Sequence, residues 1–413
     1  MAIRSSPPCA CTFCTIAPPH ILRCLQERGD PQQRAAATRT LAVTRDLREE
    51  RLRASAMGAA PLSAALLGLG SGARSTHDAQ RGKTLPGRLA RKESAAATGD
   101  AAVDEAHDGA GLTRDFLAAA FRRRSIDGRG MPLVSTVHFD RDYDNAFWDG
   151  RQMVYGDGDG QVFQRFTIAL DVIGHELAHG VTQHTSNLLY FEQSGALNEH
   201  FSDVIGSLVK QWHRNQSAGQ ADWLIGEGLL APTIHGRALR SMSAPGTAYD
   251  DPLIGKDPQP AHMRDYYFGP EDQGGVHINS GIPNRVFWRV AKTLGGPAWK
   301  VAGRIWWRAF TRMLMARATF ADAARATIEA AGSVADAAAA RTVRDAWAEA
   351  GVPVPRRPSV AAGRRAATQA DAARAKTPAR SRDKAAKPKR RTTRPVMPPA
   401  ATRRRPGAAR PAR

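Results

Sequence analysis

The string His175-Glu176-Leu177-Ala178-His179 constrains the fold more than any other part of the chain. On a helix, two histidines four apart project from one face, so both imidazoles can reach one ion at ~2.0–2.1 Å. Glu176 then points slightly aside, toward a water shared with that ion. Glu199 follows 24 residues after His175, within Gly195-Ala-Leu-Asn-Glu-His-Phe-Ser-Asp203. Leu197, Phe201, Val204, Ile205 and Leu208 recur there at helical spacing. Two helices must pack side by side for Glu199 to join the histidines. Asp203 shares the face of Glu199 and can accept the free N–H of a ligand imidazole. Three protein ligands leave a fourth position for water, the pattern of a catalytic rather than a structural zinc site. Gly174, Leu177, Ala178 and Val181 make the surroundings small and apolar, against a merely solvated charged face. His200 lies about 100° around the helix from Glu199 and is read as non-ligating.

The net charge of +20 suggests nucleic-acid binding until it is located. Residues 351–413 hold 19 Lys and Arg against Asp371 and Asp383, so this tail carries +17 and everything before it about +3. The tail has almost no large apolar residue and is expected to be disordered, with anionic polymers as its candidate partners. The four cysteines, Cys9, Cys11, Cys14 and Cys24, all precede residue 25, so the body of the chain needs no oxidising compartment. No run of 18 apolar residues exists, which predicts no membrane-spanning helix. The N-terminus is a poor secretory signal, with a lone Arg4 and with Pro7, Pro8, Pro18 and Pro19 interrupting it.

Four regions separate by composition. Residues 1–74 contain Pro18-Pro19-His20-Ile21-Leu22, a charged helical run over Pro31–Ser55 carrying Leu41, Val43, Leu47 and Leu52, and a small-residue stretch, Ala54–Gly72, that reads as a pliable link. Residues 75–165 read as a mixed β region, with strands in Leu133–Phe139, Asn145–Gly150 and Gln152–Tyr155 and a loop at Gly156-Asp-Gly-Asp-Gly160. Residues 166–350 read as helices over Asp171–Thr185, Ala196–Trp212, Asn284–Leu294, Ala298–Ala316 and Phe320–Ala350.

With these residues placed, the chain resembles the thermolysin-like neutral zinc metallopeptidases, and within them the protealysin-like branch with a short pro-segment. The resemblance spans about residues 75–350. Asn145-Ala146-Phe-Trp resembles the edge strand that binds substrate backbone, and Gly156-Asp-Gly-Asp-Gly the loop after it. His175, His179 and Glu199 match the zinc ligands, Glu176 the catalytic glutamate and Asp203 the acid behind a ligand histidine. Tyr190 matches a transition-state donor, and Arg240 the arginine that holds Glu199 and the substrate carbonyl. Gly274-Gly-Val-His277-Ile-Asn-Ser-Gly matches the loop of the catalytic histidine, with Asp272 orienting it. Phe163, Phe166, Val172, Ile225, Leu229 and Leu239 fall where the family builds its S1′ pocket.

The resemblance implies an α+β fold of two lobes with the zinc cleft between them. Its domains would be an inhibitory propeptide at 1–74, a β-rich lobe at 75–185, a helical lobe at 186–352 and the basic tail at 353–413. It implies hydrolysis of proteins and peptides before bulky apolar residues by a secreted, self-processed precursor; non-classical release from the cytoplasm is the alternative. Pro18-Pro19, extended, would block the cleft with Ile21 and Leu22 as anchors, and self-cleavage would fall near Arg74–Gln80. Every catalytic position is filled, against a relative that binds without catalysis. The Gly-x-Met-Glu-Asn motif of zinc aminopeptidases is absent. Calcium is doubtful. Asp171, Asp222 and Glu227 keep three acids of the family's paired site, but Lys210 stands where a bridging glutamate belongs, Leu224 replaces another ligand, and Arg237 stands in the isolated site.

Overall fold

The computed structural model describes residues 13–56 and 72–354. The basic tail from residue 355 onward, most of the small-residue link, Cys9 and Cys11 lie outside the described residues. The chain opens with strand β1 (Cys14–Thr15), helix α1 (Pro19–Arg28) and helix α2 (Pro31–Ala56). Then come β2 (Arg74–Asp78), β3 (Arg88–Lys92), α3 (Ala101–Phe121), β4 (Leu133–Val137), β5 (Ala146–Trp148) and β6 (Met153–Tyr155). Helices α4 (Leu170–Gln183) and α5 (Glu192–His213) follow. Short pairs come next, β7 (Leu224–Ile225) with β8 (Arg240–Ser241) and β9 (Asp250–Asp251) with β10 (Gly255–Lys256). The chain ends in α6 (Glu271–Asn279), α7 (Gly281–Leu294), α8 (Ala302–Arg312), α9 (Phe320–Val334) and α10 (Ala337–Glu349).

One six-stranded sheet runs β1-β5-β6-β4-β2-β3. Its β6-β4-β2 centre is parallel and its flanks are antiparallel. The N-terminal half is thus a mixed sheet, the C-terminal half helical, and the fold α+β with two lobes. Strand β1 is one edge, and β3 the other. Strand β1 pairs Cys14 with Trp148 and Thr15 with Phe147, so the leading segment completes the sheet of the body.

Helices α4 and α5 cross at two glycines. A Cβ on Gly206 would lie 2.2 Å from the carbonyl oxygen of Asp171, and one on Gly174 would lie 3.1 Å from the Cα of Gly206. Only backbone this close brings Glu199 of α5 to the histidines of α4.

Four differences from the sequence expectation have physical causes. Helix α3 lies inside the stretch read as β. Its Ala- and Gly-rich sequence carries little periodicity, yet Asp100 caps it by accepting from the N–H groups of Ala102 and Val103. The run Phe320–Ala350 is two helices, because Asp336 accepts from Ala339 N and starts α10. Pro19 is not extended. It opens α1 at the first helical position, where a missing N–H costs nothing. Finally, Arg74–Asp78 is a strand paired on both sides, so a domain boundary at 74/75 falls inside the sheet.

Gly206→Ala is expected to destabilise the chain by about 1–3 kcal/mol through overpacking of α4 on α5. A thermal melt checks this, and an unchanged midpoint would show that the two helices can part.

Candidate active site

Helix α4 carries His175, Glu176 and His179, all buried. Their partners fix which nitrogen bears the proton. Nδ1 of His175 lies 2.8 Å from Oδ1 of Asp203, an acceptor only, so that nitrogen carries the hydrogen. Nδ1 of His179 lies 2.9 Å from Oδ1 of Asn198, whose Nδ2 donates to the carbonyl of Leu188, so it too is a donor. Both Nε2 atoms are then bare. They face each other at 3.0 Å, and carboxylate oxygens of Glu199 lie 3.5 and 3.3 Å from them. All ligand atoms of the three residues lie within 4.8 Å of one another. Three buried lone-pair donors with no hydrogen between them repel unless a cation joins them. Oε2 of Glu199 is in addition a buried atom without a hydrogen-bond partner. Two imidazoles and a carboxylate match the donor set of a catalytic zinc ion.

The surroundings set the charges. Burial and the neighbouring Glu199 push the carboxyl of Glu176 well above the usual range, against the opposing backbone N–H of Trp148. Burial also opposes the charge of Glu199, but the neighbouring His277 holds its carboxyl well below the usual range. His277 sits at the end of an unusual turn in which Asp272, Gln273, Gly274 and Gly275 all have φ between 50° and 82°. That turn brings Asp272 back onto His277 twice, Oδ2 to the backbone N–H at 2.8 Å and Oδ1 to Nδ1 at 2.6 Å. Burial disfavours the imidazolium, yet Asp272 and Glu199 outweigh it and raise His277 to about 9. Gly274 and Gly275 suit this left-handed path because they lack a Cβ.

The leading segment crosses this site. Nε2 of His277 lies 2.7 Å from the carbonyl oxygen of Thr15. Ile16 donates its N–H to the carbonyl of Ala146 at 3.2 Å, and Arg240 donates Nη1 to the carbonyl of Ile16 at 3.0 Å. Ala17 donates its N–H to Oδ1 of Asn145 at 2.9 Å. Ile16 is wholly buried in the same apolar cluster as Phe163, Phe166, Val172, Ile225, Leu229 and Leu239. Phe13–Ala17, not Pro18-Pro19, thus occupies the cleft, and Ile21, Leu22 and Leu25 anchor α1 beside it.

Two other residues differ from expectation in their partners. Arg240 grips Asp203 with two bonds, Nε to Oδ2 at 2.9 Å and Nη2 to Oδ1 at 2.8 Å, rather than Glu199. Tyr190 donates to Oε1 of Glu199 at 2.5 Å, with its oxygen 3.2 Å from Nε2 of His277. Sequence reasoning missed Asn198 and Thr15–Ile16. Asn198 could have been found from its place directly before Glu199, whereas the Thr15–Ile16 contacts have no sequence signal. In the acidic cluster, Lys210 lies 2.7 Å from Asp171 and 2.9 Å from Asp222 and donates to the carbonyl of Leu224. Glu227 turns away to Arg214.

The fold and this donor set define a metallopeptidase. The family model described as thermolysin metallopeptidase, catalytic domain, matches residues 67–183, and the one for its alpha-helical domain matches residues 186–352. An extracellular metalloprotease of Pectobacterium carotovorum subsp. carotovorum is 49% identical over 343 residues, covering 83% of this chain and 97% of the relative. The thermolysin of Alicyclobacillus acidocaldarius subsp. acidocaldarius is 40% identical over 270 residues, 63% of this chain and 47% of that one. The solved precursor of protealysin from Serratia proteamaculans superposes with a TM-score of 0.75 at 50% identity, covering 82% of this chain and all of that one. The chain belongs to the thermolysin family and is a zinc-dependent neutral endopeptidase made as a precursor.

Lys210→Met leaves Asp171 buried and unpaired, which costs about 3–5 kcal/mol. The drop in unfolding free energy should appear in denaturant titration; no drop would mean that the cluster is solvated after all.

Proposed function

We propose that the described fold is the inhibited precursor of this endopeptidase, with Thr15–Ile16 lying where the scissile bond of a substrate lies. The observation that carries the reading is the set of four backbone contacts to Thr15, Ile16 and Ala17 from His277, Ala146, Arg240 and Asn145. A substrate strand would add to β5 in the same way. Its carbonyl would accept from His277, and its next side chain would enter the apolar pocket of Phe163, Val172 and Leu239. That supports cleavage before Leu, Ile, Phe or Val.

His175, His179 and Glu199 would hold the zinc, which when bound polarises the carbonyl and acidifies water. Glu176, buried beside the three ligands, takes a proton from the attacking water and returns it to the leaving nitrogen. His277, held protonated by Asp272, and Tyr190 donate to the developing oxyanion. Tyr190 must first leave Glu199. Arg240 and Asn145 hold the substrate backbone.

Maturation would cut before Gly72 rather than within Arg74–Gln80, because a strand paired on both sides cannot be drawn into a cleft. Lys210 supplies the positive charge that a calcium ion would bring to Asp171 and Asp222, which supports stability without calcium. Similarity to an extracellular metalloprotease of Pectobacterium supports action outside the cell.

Incubating the purified chain with casein, with and without a zinc chelator, tests the function. Glu176→Gln is expected to keep zinc yet lose about 10²–10⁴ in kcat; full activity would refute its role. Ile16→Asp puts a charge into the apolar pocket and should make the full-length chain active on a short peptide before any processing. A silent, intact Ile16→Asp precursor would refute inhibition by this segment. A calcium-selective chelator should leave the melting temperature unchanged, and a marked fall would show that the carboxylates recruit the ion.

A further inference from the structure

A line of buried hydrogen bonds runs into the zinc site from its far side. Trp306 on α8 donates Nε1–H to Nε2 of His200 on α5 at 2.7 Å. Nδ1 of His200 lies 2.7 Å from Oδ1 of Asn284 on α7. Asn284 donates Nδ2 to Oδ2 of Asp203 at 2.9 Å, and Asp203 faces Nδ1 of His175 at 2.8 Å. Trp306, His200, Asn284, Asp203 and His175 are all fully buried.

Two facts, one at each end, fix the direction of every link. An indole N–H can only donate. Nε2 of His200 therefore accepts, and the proton of the neutral ring sits on Nδ1. That proton is given to Oδ1 of Asn284, which settles the amide orientation and turns its NH₂ toward Asp203. Asp203 can only accept, so His175 donates through Nδ1 and keeps Nε2 bare. Asp203 also takes two bonds from Arg240, one on each oxygen. Its four donors fill the roughly four acceptor places of a carboxylate, so it cannot turn without breaking a bond.

We infer that Trp306, His200 and Asn284 are positioning residues that hold Asp203, and through it the orientation of His175, from three other helices. The inference rests on the reading of His175 as a zinc ligand. It differs from ordinary satisfaction of buried polar groups because the donors run one way from Trp306 to Asp203, the acid that takes the Nδ1–H of a ligand. None of the three touches the reacting atoms. His200 follows Glu199 in sequence, yet it serves the other ligand helix.

The test uses the full chain carrying Glu176→Gln, which keeps it intact. Zinc affinity is measured by competition with a chromophoric chelator, beside the melting temperature of the zinc-free protein. Asn284→Leu should weaken zinc binding by about 10- to 100-fold, the range for groups that orient a ligand. Trp306→Phe should weaken it by a smaller factor, and the double variant should match Asn284→Leu alone, because both act along one line. Trp347→Phe is the control. That buried indole donates to Thr327, off the line, so the variant should lower the melting temperature and leave zinc affinity unchanged. Equal affinity in Trp306→Phe and Trp347→Phe, with the parent binding zinc, overturns the inference alone. A parent that binds no zinc overturns the metal reading and the inference with it. Nitrogen-15 NMR of the histidines in the parent needs no folded variant. The Nδ1–H form of His200 is expected, and the Nε2–H form would overturn the proposed direction.

Discussion

Two imidazole nitrogens and a carboxylate meet in the interior with no hydrogen among them, and much of the architecture serves to hold them there. The repulsion between Nε2 of His175 and Nε2 of His179 at 3.0 Å has to be contained by the helices that carry them. Gly174 and Gly206 let α4 and α5 approach backbone to backbone. Asp203 and Asn198, both from α5, then fix the outer nitrogens of the two rings. The site is therefore assembled by one helix pair, and the sheet and the remaining helices brace that pair.

The leading segment uses the vacant edge of the same sheet. An exposed edge strand offers unpaired N–H and C=O groups to any extended chain. Here β1 takes that edge, and α1 and α2 spread the attachment over the body. Arg23 pairs with Glu271, Arg39 donates to the carbonyl of Arg141, and Thr44 meets Tyr143. Burial of Ile16, Ile21, Leu22 and Leu25 adds about 1.5–3 kcal/mol apiece in the area-based estimate. A short strand held by so many remote contacts can fill the cleft tightly while making only substrate-like bonds inside it.

Residues whose role is fixed by local spacing were legible in the sequence. His175, Glu176 and His179 share one turn, and Glu199 and Asp203 share a face, so helical geometry alone relates each set. Residues whose role depends on a partner far along the chain were not. Arg240 is drawn to Asp203 because that buried carboxylate needs a cation to balance its charge, and Glu227 goes to Arg214 because Lys210 is already taken by Asp171 and Asp222. Thr15 and Ile16 carry no chemical signature, and only the edge of β5 gives them meaning. Helix α3 escaped because alanine and glycine leave no hydrophobic period, although its capping Asp100 was visible.

Anomalous diffraction at the zinc absorption edge from crystals of the zinc-loaded precursor measures directly whether the three donors share one ion. The predicted result is a single strong peak bounded by Nε2 of His175, Nε2 of His179 and a carboxylate oxygen of Glu199, with Nδ1 of each histidine still on Asp203 and Asn198. A peak elsewhere, or one that leaves out Glu199, would contradict it.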